Sequence, residues 1–297
     1  MEEQELDGKR RLAKVMAERG IASRREAERM ITEGKVEVNG AVVTHPGHPV
    51  DAEKDRIKVE GKYVVRTPAH KVYFLLYKPK GYITGRDDPG GRTSVLELLG
   101  NVSERVEPVG RLDINTEGAL LLTNDGPLAH KLTHPSTGVP KRYLAKVWKT
   151  PSERTLQRMQ EGVMLEDGKT APCKARVLES TETGNTWVEI TVTEGKNRLV
   201  RRLLAEVGHP VSKLRRESFA TISIRGLERG EFRSLTFEEV ARLRDLANGV
   251  PASAVGRKPH GSKVGFAKPN EEWMRKRLDR QSRKVNRQAP PRGGAAR

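Results

Sequence analysis

Short apolar runs and amphipathic helical segments follow one another along this chain at irregular intervals, and that order restricts the fold. Apolar runs of about four to eight residues are typical of β-strands, whereas apolar residues three or four positions apart are typical of helices. Strands that helices interrupt irregularly favour a mixed, largely antiparallel α+β sheet over a doubly wound parallel one. Strands are predicted at 72–77, 142–148, 173–179, 186–192 and 220–225, and helices at 127–132, 153–160, 198–207 and 237–246.

The first 62 residues carry the signals of a small separate domain. Apolar residues at helical spacing lead up to Gly20, and Ser23 with Glu26 three positions later has the pattern of a capping box that opens a second helix. Asn39 and Gly40 between two short apolar runs predict a tight hairpin. We therefore expect a helix-helix-hairpin domain over 1–62, a linker over 63–71, a second domain over 72–249 and a tail over 250–297.

The formal net charge is +17, and most of it lies near the end of the chain. Residues 251–297 hold 13 Lys and Arg against 3 Asp and Glu, a net of +10, whereas residues 1–62 balance at 13 against 13. A tail with so few aliphatic residues cannot bury enough surface to offset chain entropy, so we expect it to be largely disordered. Basic tails bind phosphate backbones, which makes RNA the expected partner, although a merely solubilising tail has the same composition.

Composition also argues against several classes of protein. No run of about 18 apolar residues is present to cross a membrane, and the acidic start lacks the basic-then-apolar order of a signal peptide. Cys173 is the only cysteine, which excludes a disulfide framework and a cysteine-based zinc site. The His residues lack the spacing of metal ligands on one helix face. We therefore expect a cytoplasmic protein with no metal, no cofactor and no membrane partner, and we expect a monomer.

The segment 110–118 places one carboxylate, Asp113, in a polar turn just before the apolar run at 119–122. A side chain held at the edge of a rigid sheet is well placed for chemistry. A turn-forming Asp that bonds to its own backbone has the same local sequence. The turn alone leaves both interpretations open.

The wider pattern of motifs favours the functional interpretation. The run Gly-Arg-Leu-Asp-Ile-Asn-Thr-Glu-Gly at 110–118 resembles the signature of pseudouridine synthases of the RsuA/RluB type. Residues 11–40 are similar to the small RNA-binding domain shared with ribosomal protein S-four, and the whole resemblance covers about residues 10–247. It implies an active-site cleft across the middle of the sheet, where Asp113 acts at the ribose of a flipped uridine.

The resemblance also implies roles for residues in two further segments. In the strand at 141–147, Tyr143 would stack on the target uracil, although a Tyr at this alternation is also typical of a core. In the segment 194–202, Arg201 would pair with Asp113, since its charge persists and its planar fork matches a carboxylate. A solvated helix face would show the same arginines. The other candidates are Arg111 for substrate binding and Arg24, Arg25, Lys35, Asn197, Arg198 and Arg202 for RNA binding.

The sequence therefore predicts an enzyme that isomerises uridine to pseudouridine in ribosomal RNA or in a pre-ribosomal particle. The segments 114–116 and 134–136 resemble the large-subunit enzymes of the family more closely than the small-subunit one, and small-subunit RNA stays open as an alternative. Addition of Asp113 at C1′ and removal of the C2′ proton also stay open. The alternative from another class is a non-catalytic RNA-binding ribosome-assembly factor. The combination of Asp113, Tyr143 and Arg201 favours the enzyme, because binding alone requires none of them.

Overall fold

The computed structural model describes residues 9–64, 70–86, 90–100, 102–180, 184–252 and 254. These residues form a small N-terminal unit and a larger sheet domain, each with its own apolar core. The predicted α+β class and largely antiparallel sheet are confirmed. Most of the predicted linker and nearly all of the predicted tail lie outside the described residues.

The N-terminal unit packs two helices on a small antiparallel sheet, in which the strand order is β3-β2-β5-β6 and β1 pairs with β4. Ser23 and Glu26 form the predicted capping box, and Asn39 and Gly40 both have positive φ in the predicted hairpin. Tyr63 lies in a strand and Val64 is buried in this core, so both belong to this unit rather than to the predicted linker. The elements are β1 (Arg10–Arg11), α1 (Leu12–Glu18), α2 (Arg24–Thr32), β2 (Val36–Val38), β3 (Ala41–Val42), β4 (Pro49–Val50), β5 (Ile57–Val59) and β6 (Lys62–Tyr63).

The larger domain is built on one sheet with the strand order β13-β14-β10-β15-β9-β7-β17. Neighbouring strands are antiparallel except β9 and β15, which run parallel at the centre. The elements are β7 (Tyr73–Lys78), β8 (Glu107–Pro108), β9 (Glu117–Thr123), α3 (Gly126–Thr133), β10 (Lys141–Trp148), α4 (Glu153–Glu161), β11 (Met164–Leu165), β12 (Gly168–Lys169), β13 (Lys174–Ser180), β14 (Asn185–Val192), α5 (Leu199–Glu206), β15 (Val211–Phe219), β16 (Ile222–Ser223), β17 (Phe232–Ser234) and α6 (Phe237–Ala247), with short 3₁₀ turns at Val95–Leu99 and Pro135–Thr137.

The two faces of this sheet are covered differently. Along β10, the alternation buries Tyr143, Ala145 and Val147 on one face, in the core that also contains residues of α4 and α5. The other face has a second core with α3 and α6, which is formed mainly with β7 and β9. Along β10, β13 and β14, the described side chains of this other face are half-buried or exposed, as Leu144 and Lys146 show. Part of the sheet is therefore covered on one side only.

One predicted strand was misplaced. The sequence indicated a strand at 220–225, whereas the structure has a central nine-residue strand, β15, at Val211–Phe219 and only the short β16 in the predicted range. Charged residues such as Lys213 and Arg216 obscure the alternation of β15. Pairing with β10 on one side and β9 on the other stabilises it instead. Ala220, at φ 54°, begins the turn that follows.

Gly118 lies where β9 meets β15. Its φ is 119°, and a Cβ at this position would come within 2.2 Å of the carbonyl oxygen of Arg216. Only glycine fits such a close approach of two backbones. The turn that carries Asp113 can enter the central sheet directly for this reason.

Candidate active site

Asp113 lies on the loop between β8 and β9, and the loop is anchored on both sides of it. The preceding Leu112 is buried, its carbonyl oxygen accepts a 2.7 Å hydrogen bond from Thr84 Oγ1, and its N–H donates to the same hydroxyl at 3.2 Å. On the other side, the N–H of Thr116 donates to the carbonyl oxygen of Asp113 at 3.0 Å. The Asp113 side chain remains 30% exposed. A carboxylate is thus presented to solvent from a fixed backbone.

Lys78, the last residue of β7, links this loop to the sheet by hydrogen bonds. Its buried ammonium donates to the carbonyl oxygens of Thr116 at 2.9 Å, of Asp113 at 3.1 Å and of Pro79 at 3.1 Å. Burial lowers the pKa of Lys78 to about 8, and Asp113 opposes that shift. The sequence patterns did not single out this residue. The only available signal was a lysine at the end of an apolar strand.

Two arginines at the start of α5 contact the same loop. Arg198 Nη1 lies 3.3 Å from Asp113 Oδ2, whereas Arg201 donates to the carbonyl oxygens of Asn115 at 3.2 Å and of Val211 at 3.3 Å. The carboxylate contact implied for Arg201 is therefore made by Arg198. The reason is local: α5 begins one residue later than predicted, and Arg198 has φ 48°, so it does not continue the helix face of Arg201.

The two guanidinium groups differ in exposure. Burial lowers the pKa of Arg201, the charge of Arg198 adds to that effect and Asp113 opposes it. Arginine nevertheless stays charged, because its ordinary pKa lies far above neutral pH. The side chain of Arg198 is 50% exposed, so solvent weakens its attraction to Asp113. The partly buried guanidinium of Arg201 therefore lies against the backbone of the loop, and the exposed guanidinium of Arg198 lies against the Asp113 carboxylate.

Arg202 has a different partner. Its Nη1 and Nη2 lie 2.8 and 2.9 Å from the two carboxylate oxygens of Asp167, and its Nε donates to the carbonyl oxygen of Asn197 at 2.9 Å. The hydrogen bond from Arg202 lowers the pKa of Asp167. The predicted RNA contact of Arg202 would require this bidentate pair to open. The side chain of Asn197 is exposed.

Tyr143 lies on β10 with the orientation that the alternation predicts. Its side chain is 9% exposed and belongs to the same core as Leu112 and Val200. The ring and the residue that precedes Asp113 are therefore on the same face of the sheet. Arg111, in contrast, is exposed at the surface.

The candidate RNA-binding residues of the N-terminal unit lie at the two ends of α2. Arg24 and Arg25 are exposed in its first turn, where free backbone N–H groups favour a phosphate. Lys35, just after the helix, forms ion pairs with Glu33 at 2.7 Å and with Glu60 at 3.9 Å. The side chains of Arg24 and Arg25 are thus exposed, and Lys35 is shared with two carboxylates.

The first turn of α2 also contacts the larger domain. The carboxylate of Glu26, which caps the helix, lies 2.8 Å from Arg105 Nη2. The hydrogen bond to the backbone of Ser23 lowers the pKa of Glu26, and the charge of Arg105 adds to that effect. The exposed arginines of α2 are therefore next to a contact between the two parts of the molecule.

Together these groups form a site that can act on a bound ligand through one carboxylate. A fixed carboxylate with cations around it can serve as a nucleophile or as a base. Among the described residues, no group of His, Cys, Asp and Glu is arranged to hold a metal ion. None of the helices in the described part of the chain is long and apolar enough to span a membrane.

Comparison with known proteins identifies the class to which this fold and site belong. The RNA pseudouridylate synthase family matches residues 72–206, and the S4 domain matches residues 10–57. The chain belongs to the RNA pseudouridine synthase family, whose enzymes are isomerases, and it carries an S4 RNA-binding domain at its N-terminal end. The resemblance inferred from the sequence motifs is thereby confirmed.

Individual relatives support the same assignment. A Bacillus subtilis protein named ribosomal large subunit pseudouridine synthase B is 48% identical over 239 residues, which cover 80% of this chain and 97% of that protein. A Haemophilus influenzae protein of the same name is 36% identical over 285 residues, which cover 90% and 78%. A crystal structure described as a pseudouridylate synthase superposes with a TM-score of 0.57 at 29% identity and covers 78% of this chain and 99% of that chain.

Proposed function

We propose that this chain converts a specific uridine of large-subunit ribosomal RNA to pseudouridine and that Asp113 is the catalytic residue. The observation that carries the proposal is the presentation of Asp113: a 30% exposed carboxylate on a loop whose backbone is bonded to Lys78, Thr84 and Arg201. A carboxylate in an ordinary surface turn needs no such support. The names of the Bacillus and Haemophilus relatives support the choice of RNA.

The chemistry requires a carboxylate and no external energy. The N1–C1′ bond breaks, the uracil turns, and a C5–C1′ bond forms; C5 loses a proton and N1 gains one, so the product is an isomer of the substrate. Asp113 acts at the ribose, either by adding to C1′ or by removing the C2′ proton. In both routes it must be ionised, and the Arg198 guanidinium lies 3.3 Å from its carboxylate.

The remaining residues of the site bind and orient the base. Tyr143 offers a flat apolar ring with a polar tip, which suits stacking against the detached uracil. Arg201 holds the carbonyl oxygen of Asn115 and so maintains the turn next to Asp113. Extrusion of the uridine from its helix costs a few kcal/mol, which the basic contacts of both domains offset.

Ribosomal RNA or a pre-ribosomal particle is the proposed partner. The S4 domain would contact RNA through Arg24 and Arg25, which are exposed in the first turn of α2. The chain would work in the cytoplasm as a monomer. It would need no metal and no cofactor, since the chemistry needs only side chains. This proposal places RNA targeting in the first unit and the chemistry in the second.

The test is a map of pseudouridine across all ribosomal RNA in cells with the gene, without it, and with Asp113→Asn in its place. We expect one large-subunit site to be unmodified in the last two. If the pseudouridine that is lost in these two strains lies in small-subunit RNA, the substrate is small-subunit RNA instead. No difference among the three strains, together with an assembly defect in the deletion strain, would favour the non-catalytic assembly factor.

A further inference from the structure

The sheet of the larger domain has an open face, formed by the outward side chains of β10, β13, β14 and β15. Leu144 and Lys146 of β10 point to this face, whereas their neighbours Tyr143 and Ala145 point to the opposite core. Trp187 of β14 is paired with Lys146 and is half-buried on the same side. The open face is thus on the other side of the sheet from Tyr143.

The carboxylates on and beside the open face already have partners. Glu117 pairs with Arg229 at 2.8 Å. Glu189 pairs with Arg176 at 2.9 Å and with Arg142 at 3.5 Å, and Glu217 pairs with Arg215. These three acidic groups are therefore neutralised within the protein, whereas Glu179, opposite Trp187 on β13, has no ion pair among the described residues.

Three lysines of the same surface are left without such partners. Within the described chain, no ion pair engages Lys80, Lys146 or Lys213. Lys146 and Lys213 are moreover directly opposite each other on β10 and β15. Like charges at directly opposed positions destabilise a sheet. The two opposed lysines should therefore cost some stability. An anionic ligand bound between them would offset that repulsion.

A cavity beside these lysines contains an aromatic ring. It has a volume of about 410 Å³ and is lined by Trp187, Lys80, Lys213, Arg215 and Arg229, with Glu117 at its wall. This volume is within the usual range for sites that bind small molecules or single groups. An indole surrounded by cations matches a nucleotide, whose base stacks and whose phosphate is anionic.

We propose that the open face is a second RNA-binding surface, with phosphates on Lys146 and Lys213 and one unpaired base against Trp187. The inference rests on the proposed RNA substrate and adds a contact on the opposite face of the sheet from Tyr143. The tail of this chain is excluded as the occupant, because residues 251–297 carry a net charge of +10. Lysines without ion-pair partners bind phosphates whatever the base sequence is. An RNA backbone is therefore the complementary partner for this surface.

The test compares two charge-matched variants of the full chain. Lys146→Gln with Lys213→Gln neutralises the open face, and Arg154→Gln with Arg158→Gln removes the same charge from exposed positions of α4. Binding to a large-subunit RNA fragment is measured over a salt series. Each lost phosphate contact should reduce the slope of log K against log salt by about 0.7 to 0.9. We therefore expect a slope reduced by about 1.4 to 1.8 in the lysine variant only.

A second measurement follows the base. Quenching of tryptophan fluorescence by RNA should be largely lost in Trp187→Leu, whose fold is checked by circular dichroism, and should persist in Trp148→Leu. Equal slopes for the two charge variants, or quenching that survives Trp187→Leu, would overturn the proposal. If the lysine variant binds RNA as the wild type does but retains less of a ribosomal protein, the partner of the open face is a protein and not RNA. Pseudouridine formation by the wild type is assayed separately, so failure of the proposed function would be seen as binding without product.

Discussion

At the scale of single residues, the candidate site combines the partly exposed side chain of Asp113 with a backbone that Lys78 holds in place. The Asp113 carboxylate is left partly exposed, while its own carbonyl oxygen is bound by the Lys78 ammonium at 3.1 Å. Buried ammonium groups are costly unless hydrogen-bonded, and Lys78 is bonded to three carbonyl oxygens at 2.9 to 3.1 Å. This arrangement holds the functional group still without covering it.

Asp113→Asn tests the carboxylate itself. The amide is nearly isosteric, so the turn and RNA affinity should be retained, but it is neither a nucleophile at C1′ nor a base at C2′. We expect the single-turnover rate of pseudouridine formation to fall by at least about 10⁴-fold. Substantial product from this variant would remove Asp113 from the chemistry.

Asp125→Asn is the matched control. Asp125 caps α3 and accepts a 2.7 Å hydrogen bond from the Tyr73 hydroxyl. Asparagine is an equally good helix cap, because its oxygen can accept the Leu128 N–H, and its amide nitrogen can donate to the Tyr73 hydroxyl in place of the bond that Oδ2 accepted. The control should therefore retain most of the activity.

Lys78→Met tests the support beneath the loop. The apolar side chain is of similar length but leaves buried carbonyl oxygens unpaired, at about 1–3 kcal/mol each. A displacement of the loop by about 1 Å should lower the turnover number by about 10²-fold with little effect on RNA affinity. Equal turnover in variant and wild type would show that the loop holds its shape without Lys78.

The same variant should change the dependence of stability on pH. The pKa of Lys78 is about 8 in the folded chain against an ordinary value of 10.5, so between these values the unfolded chain binds more protons. Stability contributed by this site therefore rises with pH across that window. Urea denaturation should show wild type gaining stability over Lys78→Met between pH 8 and pH 10.5.

At the scale of elements, the start of α5 decides which arginine meets which part of the loop. The left-handed conformation of Arg198, at φ 48°, places that side chain against the Asp113 carboxylate. Arg201, one turn into the helix, contacts the carbonyl oxygen of Asn115 instead. One residue of difference in where a helix starts thus changes the role of each arginine.

Replacement of these arginines by lysine should separate their roles. Arg201→Lys loses the fork that spans Asn115 and Val211, so we expect turnover to fall by about 10- to 100-fold. Arg198→Lys can still place a charge beside an exposed carboxylate and should cost less than tenfold. Arg202→Lys, whose partner is Asp167, is the control and should affect single-turnover rates least. A larger loss from Arg198→Lys than from Arg201→Lys would show that the carboxylate contact dominates.

At the scale of the whole molecule, the chain has two units with separate cores, and the proposed function assigns RNA targeting to the first and the chemistry to the second. Of the described contacts between them, the ion pair of Glu26 with Arg105 is next to the exposed arginines of α2. A partly exposed pair of this kind stabilises by only about 0–1 kcal/mol, so it orients the units without locking them. The first unit can thus be removed without opening the core of the second.

Removal of residues 1–64 should leave the larger domain folded, because its two cores contain no residue of the first unit. We expect modification of ribosomal RNA at low enzyme concentration to fall more than about tenfold, since the truncated chain loses the phosphate contacts of the S4 domain. The full chain with Arg24→Gln and Arg25→Gln is the comparison. Efficient modification of the native site by the truncated chain would remove the targeting role of this unit.

The sequence by itself determined the features that depend on local patterns. The capping box of Ser23 and Glu26, the hairpin at Asn39 and Gly40, the alternation of β10 and the motif around Asp113 each follow from residues close together in the chain. Short-range hydrogen bonds and periodic burial decide such features, and both are visible in sequence. The family and the α+β class follow from them.

Only the tertiary structure decided the features that depend on residues far apart in the chain. The charged strand β15 is central because β9 and β10 pair with it, and its own alternation does not indicate this. Lys78 is buried because the carbonyl oxygens of a loop 35 residues later satisfy its ammonium. The pairing of Asp113 with Arg198 joins positions 85 residues apart. Their physical cause is the same: long-range contacts compensate local preferences that would otherwise oppose them.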